Sequence, residues 1–381
     1  MAYLLSDDEQ MIQGMVAEFA RGQVSLDGAQ ERDRHDTFPA DILTAAAGLG
    51  LTGMGLDESE GGAGITATAY AVVLEELAKV DPSFAAVLAV HNGMGLRMLR
   101  HASDAVKATV LPQAVAGEAV AYLATEEAGG SDKTHLTTNA FPQDGGAYLL
   151  TGRKTWGLAA AAAKHFVVLA DVPGSGPTLL YVPASADGVA LGTAEPTMGL
   201  RAAGIRTVYF DDVAVPADHV IGAVGQGMAV YQDALPWLQV GIAAAIVGAI
   251  EGAFDAAARF AEDRVQFGEP IGKYQAVTDG VTNMDLQIAA ARALTREAAG
   301  HLGMEDAAPM AARAKAFAAE MSAAMTRQAI RIQGGTGFMR EGGTERFARD
   351  VRCLWFMGET PHMQRDLLKR HLLGVTFDAT P

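Results

Sequence analysis

Helical patterning, then short β segments, then long helical patterning: this order along 381 residues limits the fold more than any single motif does. From Ser6 to about Gly117, Met11, Met15, Val16 and Phe19 recur at helix spacing behind a capping-box pattern, Ser6 to Glu9. The pattern predicts further helices over Pro39–Ala47, Thr66–Lys79, Pro82–Arg100 and Ala105–Ala116, with Pro39 and Pro82 where first-turn prolines belong. From Ala119 to about Pro216 it predicts strands at Tyr148–Leu150, His165–Ala170, Thr178–Val182 and Arg206–Phe210, with Asp144-Gly145-Gly146 as a turn. After Gly227 come four alanine-rich helices, roughly Ala229–Asp263, Gln275–Leu302, Ala307–Gln333 and Thr360–Leu373. Four long helices with short connections make a bundle.

The expected fold class is therefore α+β: an N-terminal all-α domain at 1–118, a middle β domain at 119–227 and a C-terminal four-helix bundle at 228–381. Without βαβ alternation, a doubly wound nucleotide-binding sheet is disfavoured. Gly48, Gly50 and Gly53 do satisfy G-x-G-x-x-G, but they follow a helix and lead into another loop, Gly61-Gly62-Ala63-Gly64. They read as helix termination and turns.

Composition narrows the class of partner. A formal net charge of −16 with no concentrated basic patch argues against nucleic acid. Cys353 is the single cysteine, which excludes an internal disulfide framework and fits a reducing compartment. No basic segment followed by an apolar core opens the chain, so the cytoplasm is the expected location. The longest apolar run, Val240–Ile250, is too short to span a bilayer and reads as a buried helix, so no membrane insertion is expected. The histidines show no metal-ligand spacing, and no metal site is expected.

Four segments carry chemistry. In Tyr122 to Asp132 a predicted strand runs into a loop with Gly129-Gly130-Ser131, where glycines let backbone approach a planar ring or a phosphate. The same residues also suit an ordinary β-turn. Gly152-Arg153-Lys154-Thr155-Trp156 follows, and Trp156 alone suits a core position equally well. Arg264-Val265-Gln266-Phe267-Gly268, with Gln275 eleven residues after the arginine, sits between two bundle helices. Gln333-Gly334-Gly335-Thr336-Gly337-Phe338 ends another helix with more glycines than a helix stop needs.

Together, in this order and spacing, the four segments resemble the acyl-CoA dehydrogenase family over nearly the whole chain. The resemblance implies a β-barrel-like middle domain and FAD as cofactor. It implies cofactor contacts at Tyr122, Thr125, Ser131 and Trp156, with Thr125 at the isoalloxazine edge, Ser131 on the pyrophosphate and the Trp156 indole against the flavin. Arg264, Phe267 and Gln275 are implied to clamp the ADP part of FAD from a neighbouring subunit, in a homotetramer built as a dimer of dimers. Arg331, Gly334, Gly335 and Thr360 complete the implied cofactor set. The implied activity is α,β-desaturation of an acyl-CoA or other acyl thioester: a carboxylate takes the α-proton while the β-hydrogen leaves as hydride to flavin N5. An electron-transfer flavoprotein is the implied electron acceptor.

Five departures from the family's pattern stand out. Near the C-terminus the family has an acid followed by Gly-Thr; here the order is Gly358-Glu359-Thr360, so the only nearby candidate base, Glu359, is displaced by one residue. The acid that some members carry on the first bundle helix is absent from Leu235-Pro236-Trp237-Leu238-Gln239, and Gln239 stands where the family has arginine. Gly157-Leu158 replaces the usual Ile-Thr, and Arg331 replaces a glutamine. Glu359 reads equally as a base or as a carboxylate capping the helix that begins near Thr360. Two alternatives to desaturation follow. One is a flavoprotein of this fold with altered chemistry, desulfination or oxygenation; the other is a catalytically silent FAD-binding subunit of a mixed oligomer.

Overall fold

The computed structural model describes residues 4–133 and 135–374. Helix α1 (Asp7–Phe19) begins at the capping box: Ser6 Oγ accepts from the Glu9 N–H at 3.3 Å, and Glu9 Oε2 accepts from the Ser6 N–H at 2.9 Å. Helix α2 (Leu26–His35), capped by Ser25, escapes the sequence pattern because it is almost entirely polar. Then follow α3 (Ala40–Gly48), α4 (Ala67–Ala78), α5 (Pro82–Val90), α6 (Arg97–Leu99) and α7 (Asp104–Val115). The single helix predicted over Pro82–Arg100 is interrupted by a π-helical stretch, His91–Leu96. Its wider turn presents Asn92, which bonds the Gly55 N–H and the Leu51 carbonyl, and His91, 2.9 Å from the Thr52 carbonyl. Six residues are too few for hydrophobic periodicity to tell a π turn from an α turn.

Eight strands follow: β1 (Val120–Leu123), β2 (Asn139–Pro142), β3 (Tyr148–Gly157), β4 (His165–Val172), β5 (Gly176–Pro183), β6 (Val189–Ala194), β7 (Arg206–Val215) and β8 (Val220–Ile221). Their order is β6-β7-β3-β2-β4-β5-β8, and β1 joins β4 in parallel, with Tyr122 opposite Val167. The sheet curls until β5 approaches β7. Phe166 to Ala170 on β4 are wholly buried, which explains their unbroken apolar run.

The third layer is the bundle: α8 (Gly227–Asp263), the hairpin β9 (Val265–Gln266) and β10 (Glu269–Pro270), α9 (Gln275–Gly300), α10 (Ala307–Gln333), α11 (Gly335–Phe338), α12 (Thr344–Leu354) and α13 (Pro361–Leu373). By length and composition α8 is apolar enough to cross a membrane, but 72% of its most apolar window is buried inside the protein. It is the central helix, packed by α4, α9 and α10 through small residues such as Ala243, Ala244 and Ala245. Helix α12 is a second element not anticipated, although Phe347, Val351 and Leu354 repeat at helix spacing; it also buries Arg346 and Asp350. Asp350 Oδ1 accepts from the Leu200 N–H at 2.7 Å and so ties the bundle to the β domain. Burial pushes the Asp350 carboxyl up to about 7, against the opposing charge of Arg346.

Candidate functional site

The turn between α12 and α13 holds the displaced acid. Gly358 has φ +64° and Glu359 φ +75°, two consecutive residues in left-handed conformation. For a residue with a Cβ this costs about 1–2 kcal/mol, so something must hold it there. Donors from three helices do. Gln239 Nε2 of α8 donates to the Gly358 carbonyl at 3.0 Å, and Gln364 Nε2 of α13 donates to the Gly358 and Glu359 carbonyls, each at 3.3 Å. Lys315 Nζ of α10 donates to the Trp355 carbonyl at 2.9 Å and the Glu359 carbonyl at 3.4 Å. Lys315 is fully buried, and burial pulls its ammonium down to about 7 despite the charge of Glu359. Gln239, where the family carries arginine, thus serves here as a neutral donor to the turn.

Thr360, not Glu359, caps α13: its Oγ1 accepts from the Met363 N–H at 3.4 Å, with Pro361 in the first turn. The Glu359 side chain points elsewhere. Its Oε1 accepts from the hydroxyl of Tyr231 on α8 at 3.2 Å. Tyr231 is buried, its ring stacked on Tyr122 of β1 with centroids 5.9 Å apart, and Lys133 Nζ lies 5.2 Å from its ring centroid. Burial and the Glu359 charge push both phenols well above their ordinary range, so both remain donors. The Tyr122 hydroxyl is buried without a hydrogen-bond partner among the described residues. Burial also pulls the Lys133 ammonium down, with Glu359 and Asp132 opposing. A carboxylate, two phenols and an ammonium therefore meet at the junction of β domain and bundle.

Beside them the loop after β1 is fastened to β3 through Glu126. Its Oε1 accepts from Lys154 Nζ at 2.5 Å and from the Thr138 N–H at 3.0 Å; its Oε2 accepts from the Thr137 N–H and hydroxyl. Burial opposes ionisation of Glu126, but the Lys154 and Thr137 bonds outweigh it and bring its carboxyl down to about 2. The Thr125 carbonyl accepts from the Thr155 N–H at 2.9 Å, which sets Thr125 next to Trp156 in the following position. Between Lys154 and Gly157 the β3–β7 register slips, and Trp156, at φ +56°, is turned outward and left 54% exposed. Ser131 is exposed at the end of the same loop. Gly157 is required by space, since a Cβ there would stand 2.5 Å from Leu123 Cδ2, and Leu158 is buried. Core packing thus occupies the place of the family's Ile-Thr.

The remaining predicted residues form a separate set on the surface. Arg264, Phe267 and Gln275 belong to the β9–β10 hairpin and the start of α9; Phe267, at φ +54°, is 94% exposed, its ring edge-on to Tyr274. Arg331 is exposed in the last turn of α10, and nothing lies within 4 Å of where a Cβ would stand on Gly334 or Gly335. These open backbone positions, the outward indole and an unsupported phenylalanine fit the surface a flavin dinucleotide requires. Of the eight non-glycine residues with positive φ among those described, Trp156, Phe267 and Glu359 are three.

Family models match all three parts of the chain: the acyl-CoA dehydrogenase N-terminal domain at residues 6–118, the middle domain at 121–213 and the C-terminal domain at 225–373. The chain belongs to the acyl-CoA dehydrogenase family. It is 32% identical to the human mitochondrial short-chain specific acyl-CoA dehydrogenase over 97% of this chain and 91% of that protein. The structure of butyryl-CoA dehydrogenase from Megasphaera elsdenii matches with a TM-score of 0.93 at 28% identity, over 98% of this chain and all of that one. A structure described with the electron transferring flavoprotein of Acidaminococcus fermentans matches with a TM-score of 0.94 at 28% identity, over 98% and 100% of the two chains. Like its relatives, this acyl-CoA dehydrogenase is an FAD-dependent oxidoreductase acting on the CH–CH group of acyl thioesters.

Tyr231, Lys133, Lys315 and Gln364 were not foreseen as part of this site. Tyr231 carries a signal in hindsight: with Leu235 and Gln239 it lies at i, i+4 and i+8 on one face of α8, the face that meets the Gly358–Glu359 turn. Lys315 carries another, a lone cation on the alanine stripe Ala311, Ala314, Ala318. Lys133 carries none, since a single lysine in a loop is ordinarily solvated.

Proposed function

We propose that this acyl-CoA dehydrogenase desaturates a short acyl thioester, with Glu359 as the base that removes the α-proton. The observation that carries this reading is the turn itself: a strained glutamate, held by donors from α8, α10 and α13, with its carboxylate aimed at Tyr231 rather than at the helix start. Helix capping does not account for that carboxylate, because Thr360 already caps α13. Bound FAD would supply the hydride acceptor for the β-hydrogen.

The chain's own residues supply the rest. Glu359 is half-buried, its carboxylate held by the buried Tyr231, whose ring stacks on Tyr122. Thr125, Ser131 and Trp156 form the rigid edge on which the cofactor is oriented, fixed by the Glu126–Lys154 pair. Arg264, Phe267 and Gln275 reach a cofactor held by a second copy of the chain in a homotetramer; the exposure of Phe267 supports a role outside its own protomer. Gly334, Gly335 and Arg331 stand at the open helix end. An electron-transfer flavoprotein is the proposed acceptor, in keeping with the Acidaminococcus match.

A short acyl chain is supported twice. The human relative is named short-chain specific and the Megasphaera one acts on butyryl-CoA. Next to the Glu359 turn, Tyr70 and Trp237 fill the space between α4 and α8: the Tyr70 hydroxyl donates to the Trp237 carbonyl at 3.2 Å and lies so close to Gly93 and Gly241 that neither position has room for a Cβ. Anaerobic titration of the holoenzyme with acyl-CoAs of increasing length tests the reading. Loss of flavin absorbance is expected with C4 more than with C12; an absorbance unchanged by every thioester would overturn it.

A further inference from the structure

Displacing the acid by one residue changes the direction in which its Cβ leaves the backbone, so a base at position 359 has to be aimed by different partners from one at position 358. The structure contains one such partner. The Tyr231 hydroxyl donates to Glu359 Oε1 at 3.2 Å, and among the described residues it is the side-chain donor found on that carboxylate. We infer that Tyr231 is a positioning residue for the proton-abstraction step: it fixes Oε1 and leaves Oε2 turned to the substrate. The inference rests on the reading of Glu359 as the base.

Tyr231 suits this role because of where it stands. It is on the central helix and 3% exposed, so its hydroxyl has no water competing for it and little freedom to drift. Stacking on Tyr122 fixes the plane of its ring. The same face of α8, two turns on, supplies Gln239 to the Gly358 carbonyl, so one rigid element holds both the backbone and the side chain of the turn. The charged and titratable groups facing Glu359 are Tyr231 from α8, Tyr122 from β1, Lys133 from the loop after β1, and Lys315 from α10 at its carbonyl. Of these, Tyr231 is the one bonded to a carboxylate oxygen. Loss of the hydroxyl therefore frees the carboxylate to rotate away from the substrate and lowers the rate of proton removal without touching substrate binding.

The test compares holoenzyme with Tyr231→Phe, Glu359→Gln and the double variant. Flavin reduction by butyryl-CoA is followed by anaerobic stopped flow between pH 5 and 9, with rates expressed per bound FAD so that a poorly loaded variant still reports. Y231F keeps the ring stack; it is expected to keep its substrate Kd and to lose about tenfold to a hundredfold in limiting rate. Thermal melts of the four proteins are expected to be non-additive, because the two side chains touch. If E359Q stops reduction while Y231F matches wild type in limiting rate, Tyr231 has no positioning role and the base stands. If E359Q reduces as fast as wild type, the base reading falls and this inference with it.

Discussion

Tyr231 and Glu359, 128 residues apart in the chain, meet at 3.2 Å where the first bundle helix passes the turn before the last one. That contact gives the one-residue displacement of the acid a structural meaning. The glutamate is neither loose nor a helix cap; its backbone is strained and pinned, and its carboxylate has a dedicated donor.

Lys315 holds the backbone of this turn, and its burial makes the effect dependent on pH. Its ammonium, ordinarily near 10.5, is pulled down to about 7, so between these values the unfolded chain binds more protons than the folded one. The stability owed to this group therefore rises with pH across that window and is constant below it. Lys315→Met removes this dependence together with the bonds to the Trp355 and Glu359 carbonyls. Its melting temperature relative to wild type should become more negative from pH 7 to pH 10, and its rate of flavin reduction should fall about tenfold. A melting difference independent of pH would contradict this account of Lys315.

The Glu126–Lys154 pair should govern cofactor retention. Lys154→Met leaves a buried carboxylate uncompensated, for which about 3–5 kcal/mol of stability is expected to be lost at pH 7. Because the Glu126 carboxyl titrates near 2 in the fold and near 4.5 ordinarily, the stabilisation it provides is present above 4.5 and lost as pH falls toward 2. Denaturant midpoints from pH 7 down to pH 3 should therefore fall less steeply in K154M than in wild type. FAD retained after gel filtration should be lower throughout.

Much of the fold was legible because its periodicities are long: α8, α9 and α10 each repeat an apolar face over many turns, and β4 is an uninterrupted buried run. Short polar elements were passed over: α2, which has almost no apolar residue, and α12, whose three apolar positions Phe347, Val351 and Leu354 stand in an otherwise mostly polar stretch that also buries Arg346 and Asp350. At the site, Trp156 and Phe267 were visible through motif spacing, but their left-handed backbone was not, since it comes from a bulge and a hairpin formed with distant or neighbouring strands. Tyr231 was invisible as a partner of Glu359 because only packing of α8 against the α12–α13 turn brings them together. Thr360, expected among the cofactor contacts, carries the additional task of capping α13 with its hydroxyl oxygen, which motif spacing did not reveal.

Phe267 offers a test of the proposed clamp that core stability cannot confuse. At 94% exposure its ring contributes almost nothing to its own protomer's packing. Phe267→Ala should leave the melting temperature of the flavin-free protein within a degree or so. FAD affinity should fall about tenfold, corresponding to loss of one stacked aromatic contact. Fluorescence titration of apoprotein with FAD measures this, and an unchanged affinity would remove Phe267 from the cofactor site.

Glu359→Gln is the most direct test of the central claim, because it keeps the shape of the side chain and its bond from Tyr231 while removing the proton acceptor. Mixed anaerobically with saturating butyryl-CoA in the stopped flow, the fully flavinated variant should bind substrate and reduce its flavin at least about a hundredfold more slowly than wild type. Reduction at the wild-type rate would contradict Glu359 as the base.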